Sequence, residues 1–389
     1  MRRLLLSALL GTSPLLAFGL GSRIPNQDPE AIARGNAFVA TADNPAALYY
    51  NPAGITQLQG QNFQVGSLFY LDIDADYESQ SGQRFKNVRK ILPVPEVDYV
   101  LSLKKVPISL GLGVYAPFGL GMEWPGDVPF RNAGLEADLL YSTINPVIAW
   151  KPLPTLSVAA GPTFNYSEVE LIQGVLFSPL QMRFKGHDWA YGFNAGVLWQ
   201  PHPMWSFGAK YFSATTMDYD GAASFNSPLL PPGLHTQAHL DFPQIVVGGV
   251  SFRPTTNWNF EVDIDWTDWD QVKNAVIDGV GTLPLNWESS FFYEAGVTRQ
   301  LGKGYFASVG YFFSQASTPD KYYTPLVPDT DLHVGSVGFG HRGRHWSWTV
   351  AAQIIAGAFR QVEGNIDPSV DGRYRLFTPT LSCSLGYRF

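Results

Sequence analysis

The feature that most restricts this chain is a strict alternation of apolar with small or polar residues, the aromatics falling on the apolar side. Trp189, Tyr191, Phe193, Ala195, Val197 and Trp199 share one strand face, against Ala190, Gly192, Asn194, Gly196, Leu198 and Gln200. The period returns in Trp346, Trp348, Val350, Ala352 and Ile354, and again in Leu381, Cys383, Leu385, Tyr387 and Phe389. Two-residue periodicity sustained this long specifies strand and excludes helix. Trp189 and Trp199 lie ten residues apart, about 33 Å along a strand. A tilt of about 45° reduces this to roughly 23 Å, close to the ~25 Å apolar band between the aromatic girdles of outer-membrane barrels. The chain therefore reads as all-β, a transmembrane antiparallel β-barrel whose apolar face meets lipid. A secreted β-sandwich, the alternative, has no reason to set aromatics at fixed heights.

Candidate strands cover 61–77, 94–104, 107–117, 139–151, 155–171, 186–201, 204–219, 237–254, 257–270, 286–301, 304–317, 332–343, 345–358 and 378–389, fourteen in all. Single-chain bacterial barrels have even strand numbers. Short joins at 152–154, 201–203 and 302–304 alternate with long links at 118–138, 271–285, 318–331 and 359–377. Tight periplasmic turns and long outer loops are expected. The terminal Phe389 resembles the signature of barrels inserted by the barrel-assembly machinery. That machinery, outer-membrane lipid and lipopolysaccharide are then the expected partners of a monomer in the cell outer membrane of a Gram-negative cell.

Composition removes other classes. Charged residues make up 15%, aromatics 14%, and mean hydropathy is −0.04, without the runs of about 20 apolar residues that membrane helices need. A net charge of −7 with no basic cluster argues against nucleic acid. Cys383 alone excludes disulfides and cysteine metal sites. His235 and His239, like His341 and His345, are four apart, about 13 Å on a strand and too far for one ion. Neither metal nor cofactor is expected. Glu261, Asp263 and Asp265 form an acidic stripe expected to wet the lumen. His345 and Ser347 lack a third partner for nucleophilic catalysis, so no catalytic residue is assigned and the chain is not read as an enzyme. A general or selective porin and an outer-membrane lipid hydrolase are the alternatives.

Two segments precede the barrel. Residues 1–19 have a basic start, the apolar stretch Leu4–Leu16 and small residues after it, which reads as a secretory signal peptide cleaved after Ala17 or Gly19. An uncleaved anchor is disfavoured by the short run and Pro14. Residues 20–60 lack alternation. They form either a plug in the lumen or a periplasmic extension, and the Tyr49-Tyr50 pair and small residues favour packing. Residues 61–389 form the barrel.

The motifs Ala33-Arg34-Gly35-Asn36-Ala37-Phe38, Ala42-Asp43-Asn44-Pro45 and Tyr50-Asn51-Pro52-Ala53-Gly54 resemble the N-terminal hatch of FadL-type outer-membrane transporters. Ala116-Pro117-Phe118-Gly119-Leu120-Gly121, Ile144-Asn145-Pro146, Phe252-Arg253-Pro254 and Trp266-Thr267-Asp268-Trp269 follow in the same order. The resemblance implies a fourteen-stranded barrel with a hatch in its bore, carrying long-chain fatty acids or aromatic hydrocarbons. It implies that Asn51, Pro52, Ala53 and Gly54 act as the gate where the third strand kinks inward. Gly111 and Gly113 suit such a kink, or else relieve crowding inside the barrel. Phe118, Leu120, Met122, Trp124 and Phe130 in the 118–138 link are candidate contacts for a captured apolar ligand. Arg131 is either a partner for a carboxylate head group or a solvated charge.

Overall fold

The computed structural model describes residues 23–227 and 233–389, so the expected signal peptide lies outside the described residues. Among these, fourteen antiparallel strands close into a barrel, each strand pairing its neighbour over at least part of its length. The first seven are β1 (Gln61–Tyr70), β2 (Leu92–Ser102), β3 (Ile108–Tyr115, resumed as Gly119–Glu123), β4 (Glu136–Leu153), β5 (Leu156–Gly174), β6 (Gln181–His202) and β7 (Trp205–Phe212 with Thr215–Phe225). The rest are β8 (Leu234–Phe242 with Ile245–Thr255), β9 (Trp258–Thr267), β10 (Ser290–Gly302), β11 (Tyr305–Ser314), β12 (Leu332–Arg342), β13 (Trp346–Gly357) and β14 (Gly372–Arg388). Each strand pairs with the next, and β14 returns to β1 with Phe63 opposite Tyr387.

Tight turns and long loops alternate, all the tight ones at one end. At the long-loop end the strands run further than the sequence suggests: β3 resumes at Gly119, and β14 begins at Gly372. There the inner wall packs on a continuous cluster including Phe118, Tyr141, Phe184, Tyr219 and Phe242, so the backbone stays paired where loop was expected.

Burial follows the inside-out order of a membrane barrel. On β9, Val262 and Ile264 are 59% and 50% exposed, while Glu261, Asp263 and Asp265 are at most 2% exposed. A water-soluble domain reverses that arrangement. Trp189 and Trp199 mark the two ends of the outer apolar face of β6, as the spacing predicts.

Residues 23–58 pack against the inner wall. Asp28 caps the helix α1 (Pro29–Ile32) by accepting from Glu30 N, with Pro29 preorganised at the first helical position. A second helix, α2 (Ala47–Tyr50), leads into a 3₁₀ turn over Pro52–Gln57 capped by the Asn51 side chain. The wall makes room through inward glycines. A Cβ on Gly208 would lie 2.0 Å from Val39 O, and one on Gly310 would lie 2.0 Å from Gly35 N.

The acidic stripe of β9 does not wet a lumen. Phe38 N and Val39 N donate to Asp263 Oδ2 at 2.8 and 2.9 Å, and Ala40 N donates to Glu261 Oε1 at 2.8 Å. Arg34 pairs with Glu261 at 2.8 Å, and Arg23 pairs with Asp265. Carboxylates withdrawn from water need donors, and the N-terminal segment supplies them from its backbone and two arginines.

Candidate functional site

The barrel wall is incomplete between β2 and β3. These strands pair only from Val97 opposite Val114 to Ser102 opposite Ser109. Leu92–Glu96 keep β1 on one edge but have no strand partner on the other among the described residues. The cause is written in β2. Leu103 N donates to Ile108 O, so the odd-numbered residues of β2 turn their backbone groups toward β3. Pro93 and Pro95 occupy the next two such positions beyond Val97 and bring no N–H. On the opposite side, β3 is interrupted at Ala116–Phe118.

The N-terminal segment takes up the orphaned groups. Ile24 N donates to Pro117 O at 2.9 Å, and Arg23 forms a β-bridge with Phe118. The Gln27 side chain donates to Ala116 O at 2.8 Å and accepts from Ala116 N at 3.2 Å. Further along, Val88 N donates to Glu123 O at 2.7 Å and ends the opening. The result is a bounded seam, against which Arg23–Gln27 pack from inside.

Behind it lies a cavity of about 590 Å³ lined mainly by apolar side chains, among them Ile24, Val94, Tyr115, Leu139, Tyr141 and Ile355. Phe118 and Met122 also line it. Trp124 and Phe130 are buried behind the lining rather than displayed on an outer loop: Trp124 Nε1 donates to Pro325 O at 2.9 Å, and the two rings meet edge to face at 5.3 Å. Leu120 pairs through its backbone with Leu139 of β4. Arg131 stands apart from the cavity and donates to Ser178 O at 2.8 Å, tying two loops together.

Gly111 and Gly113 sit in uninterrupted pairing with both neighbours, and a Cβ on Gly111 would lie 2.3 Å from Leu48 Cδ2. The kink falls three residues later, at Ala116. Asn51 donates to Val39 O and Val197 O, Pro52 presses on Gly196, Ala53 is buried beside them, and Gly54 packs against Ala42. None of these four lines the cavity, whereas Arg23 and Ile24 do, and Arg23–Gln27 lie against the seam. The signal that sequence reasoning passed over is the Pro93/Pro95 pair, spaced to remove two donors from one edge.

Asp28 joins this segment to the wall. It accepts from Asn44 Nδ2 at 2.9 Å and from Gln64 Nε2 at 3.3 Å. Burial first, and then Glu30 on its own helix, pushes Asp28 from its ordinary 3.8 up to about 7. Glu96 and Asp98 face it from β2, and Arg342 of β12 faces it while engaged by Glu30 and Asp43. A carboxyl whose folded pKa is raised stabilises the docked state fully below its unfolded value and ceases to do so as pH rises through the folded one. Once the intrinsic base-catalysed rate is divided out, amide protection of the segment is therefore expected to be lower at pH 8 than at pH 5.5, the opening free energy falling by a few kcal/mol at most. Asp28→Asn flattens that dependence. An unchanged pH profile in the variant counts against Asp28 as its source.

A profile of the family described as outer membrane protein transport protein (OMPP1/FadL/TodX) matches residues 21–363. The long-chain fatty acid transport protein of Escherichia coli strain CFT073 is 22% identical over 343 residues, 75% of this chain and 76% of that relative. Outer membrane protein P1 of Haemophilus influenzae is 22% identical over 393 residues, covering 85% of each. Among solved structures, a Pseudomonas aeruginosa FadL homologue matches with a TM-score of 0.84 at 16% identity, covering 94% of this chain and 99% of that one. The Pseudomonas putida toluene transporter TodX matches with a TM-score of 0.77 at 14% identity and the same coverage. The structural likeness establishes the barrel fold, and the profile establishes the lineage. The chain belongs to the outer-membrane transport protein family of OMPP1, FadL and TodX.

Proposed function

We propose that this chain moves hydrophobic small molecules, long-chain fatty acids foremost, passively across the outer membrane. Capture at the long-loop end is followed by displacement of the N-terminal hatch and lateral exit through the β2–β3 seam. The single observation that carries this reading is the apolar cavity of about 590 Å³ directly behind an unpaired stretch of wall. A water-filled bore is a poor route for a hydrocarbon, because hydration opposes transfer by about 0.8 kcal/mol per CH₂, on the order of 10 kcal/mol for sixteen carbons. A sideways exit avoids that barrier. The tight packing of residues 23–58 on the inner wall supports this reading over a general porin. The names of relatives that carry fatty acids or toluene agree with an apolar cargo.

The test is to fill the exit. Val94→Trp with Ala116→Trp places two indoles at the seam and is expected to lower uptake of a labelled long-chain fatty acid at least about tenfold, a barrier increase of about 1.4 kcal/mol. Heat-modifiable migration on gels reports that the barrel still forms. Undiminished uptake by a folded double variant removes the lateral route.

A further inference from the structure

The cavity is apolar, yet two buried polar atoms at its lining have no partner. One is Oε1 of Glu96, a side chain only 2% exposed on the inner face of β2. The missing side chain of Gly66, opposite it on β1, gives it room: a Cβ there would lie 2.6 Å from that oxygen. The Gln64 amide serves Glu96 as a hydrogen-bond partner, but no arginine or lysine pairs with it among the described residues. The other orphan is Nε of Arg23. That guanidinium is already neutralised, since Nη1 donates to Asp265 and, at 2.8 Å, to Thr267 Oγ1.

Three further polar groups of the lining are occupied. Tyr115 donates to Asn145 Oδ1 at 3.1 Å, Tyr141 bonds Thr215 at 2.9 Å, and Thr330 donates to Ala358 O at 2.9 Å. The other two acids of the lining have cations of their own: Lys90 reaches Asp138 at 3.5 Å, and Arg360 faces Asp329. An unpaired buried acceptor is costly, so a ligand donor satisfying Glu96 is favoured. Asp28 and Asp98 face Glu96 as well, so an ionised carboxylate brought there joins a cluster of three buried carboxyls in a place water does not screen.

We propose that Glu96 selects the protonation state of the ligand head: the cavity takes an apolar molecule ending in an uncharged hydrogen-bond donor, an undissociated carboxyl or a hydroxyl, and refuses the ionised carboxylate. The inference rests on reading the cavity as the transport site. A fatty acid then enters as its neutral acid, and a long-chain alcohol is an equally good cargo. Arg23 Nε–H can donate to the oxygen of such a head, because a hydroxyl or neutral carboxyl is donor and acceptor at once.

The experiment uses the full barrel in lipid nanodiscs, with empty nanodiscs subtracting partition into lipid, and titrates dodecanol and dodecanoate by calorimetry. At pH 8 dodecanol is expected to bind at least about tenfold more tightly than dodecanoate. Dodecanoate affinity should rise about tenfold for each unit of pH lowered, following its neutral fraction, while dodecanol stays level. Glu96→Gln should bring the two ligands within about threefold at pH 8, mainly by tightening dodecanoate. Equal affinities at pH 8, a flat profile for dodecanoate in the unaltered protein, or an unchanged ratio in Glu96→Gln overturns the proposal. The pH arm needs no variant, so a misfolded Glu96→Gln leaves the decision intact. Failure of dodecanol to bind at all removes the cavity as a ligand site, and a carboxylate preference overturns Glu96 selectivity alone.

Discussion

Uptake of a labelled long-chain fatty acid is expected to fall at least about tenfold when Arg23→Cys and Phe118→Cys are oxidised to a disulfide, and to return on reduction. Arg23 and Phe118 face each other across an antiparallel bridge, and the adjacent Ile24 N bonds Pro117 O, which makes 23 and 118 the close, non-bonded pair. Such pairs have Cα atoms about 4.5 Å apart, within the range a disulfide spans without moving the backbone. Cys383, the natural thiol, is replaced by Ser so that one bridge forms. The reduced protein is the control, since both forms lack the Arg23–Asp265 ion pair and differ only in whether residues 23–27 can leave. Equal uptake in the two forms would mean that cargo passes without moving Arg23–Gln27.

Much of the architecture was legible because lipid imposes a simple rule on strands. Alternation in 189–199 and 346–354 gave the outer face, the even number of strands agreed with closure, and the lack of period before residue 61 set that stretch apart from the strands. The acidic stripe of β9 was legible as inward but not as a docking rail, because its partners are backbone N–H groups of Phe38, Val39, Ala40 and Thr41, which carry no side-chain signature. The apolar residues of 118–130 announced packing without saying against what: Phe118 and Met122 reached the cavity, while Trp124 and Phe130 went to the loop core. The seam depended on hydrogen-bond parity. Pro93 and Pro95 are unremarkable as composition and become informative only once the direction of each N–H in β2 is known.

Glu261→Leu is expected to turn a closed bore into a conducting one. Glu261 accepts from Arg34 Nη2, Ala40 N and Thr41 N at 2.8, 2.8 and 3.1 Å, and from the Thr41 hydroxyl. Leucine keeps the volume and leaves those donors unmet, including a guanidinium whose side chain is 1% exposed. Breaking one partner of such a buried pair costs about 3–5 kcal/mol, and undocking is the cheapest relief, since it returns Arg34 and the backbone donors to water. The barrel does not depend on this contact, because its ladder closes through β14 and β1. Single-channel current should therefore rise at least about tenfold over the unaltered protein, with residues 23–58 becoming open to added protease. Glu261→Gln retains one carbonyl acceptor and should fall between the two. A folded Glu261→Leu barrel with unaltered current and a protected N-terminal segment would show that the β9 carboxylates do not hold the hatch. The glycine-lined close contacts at Gly208 and Gly310 would then have to carry that docking by shape alone.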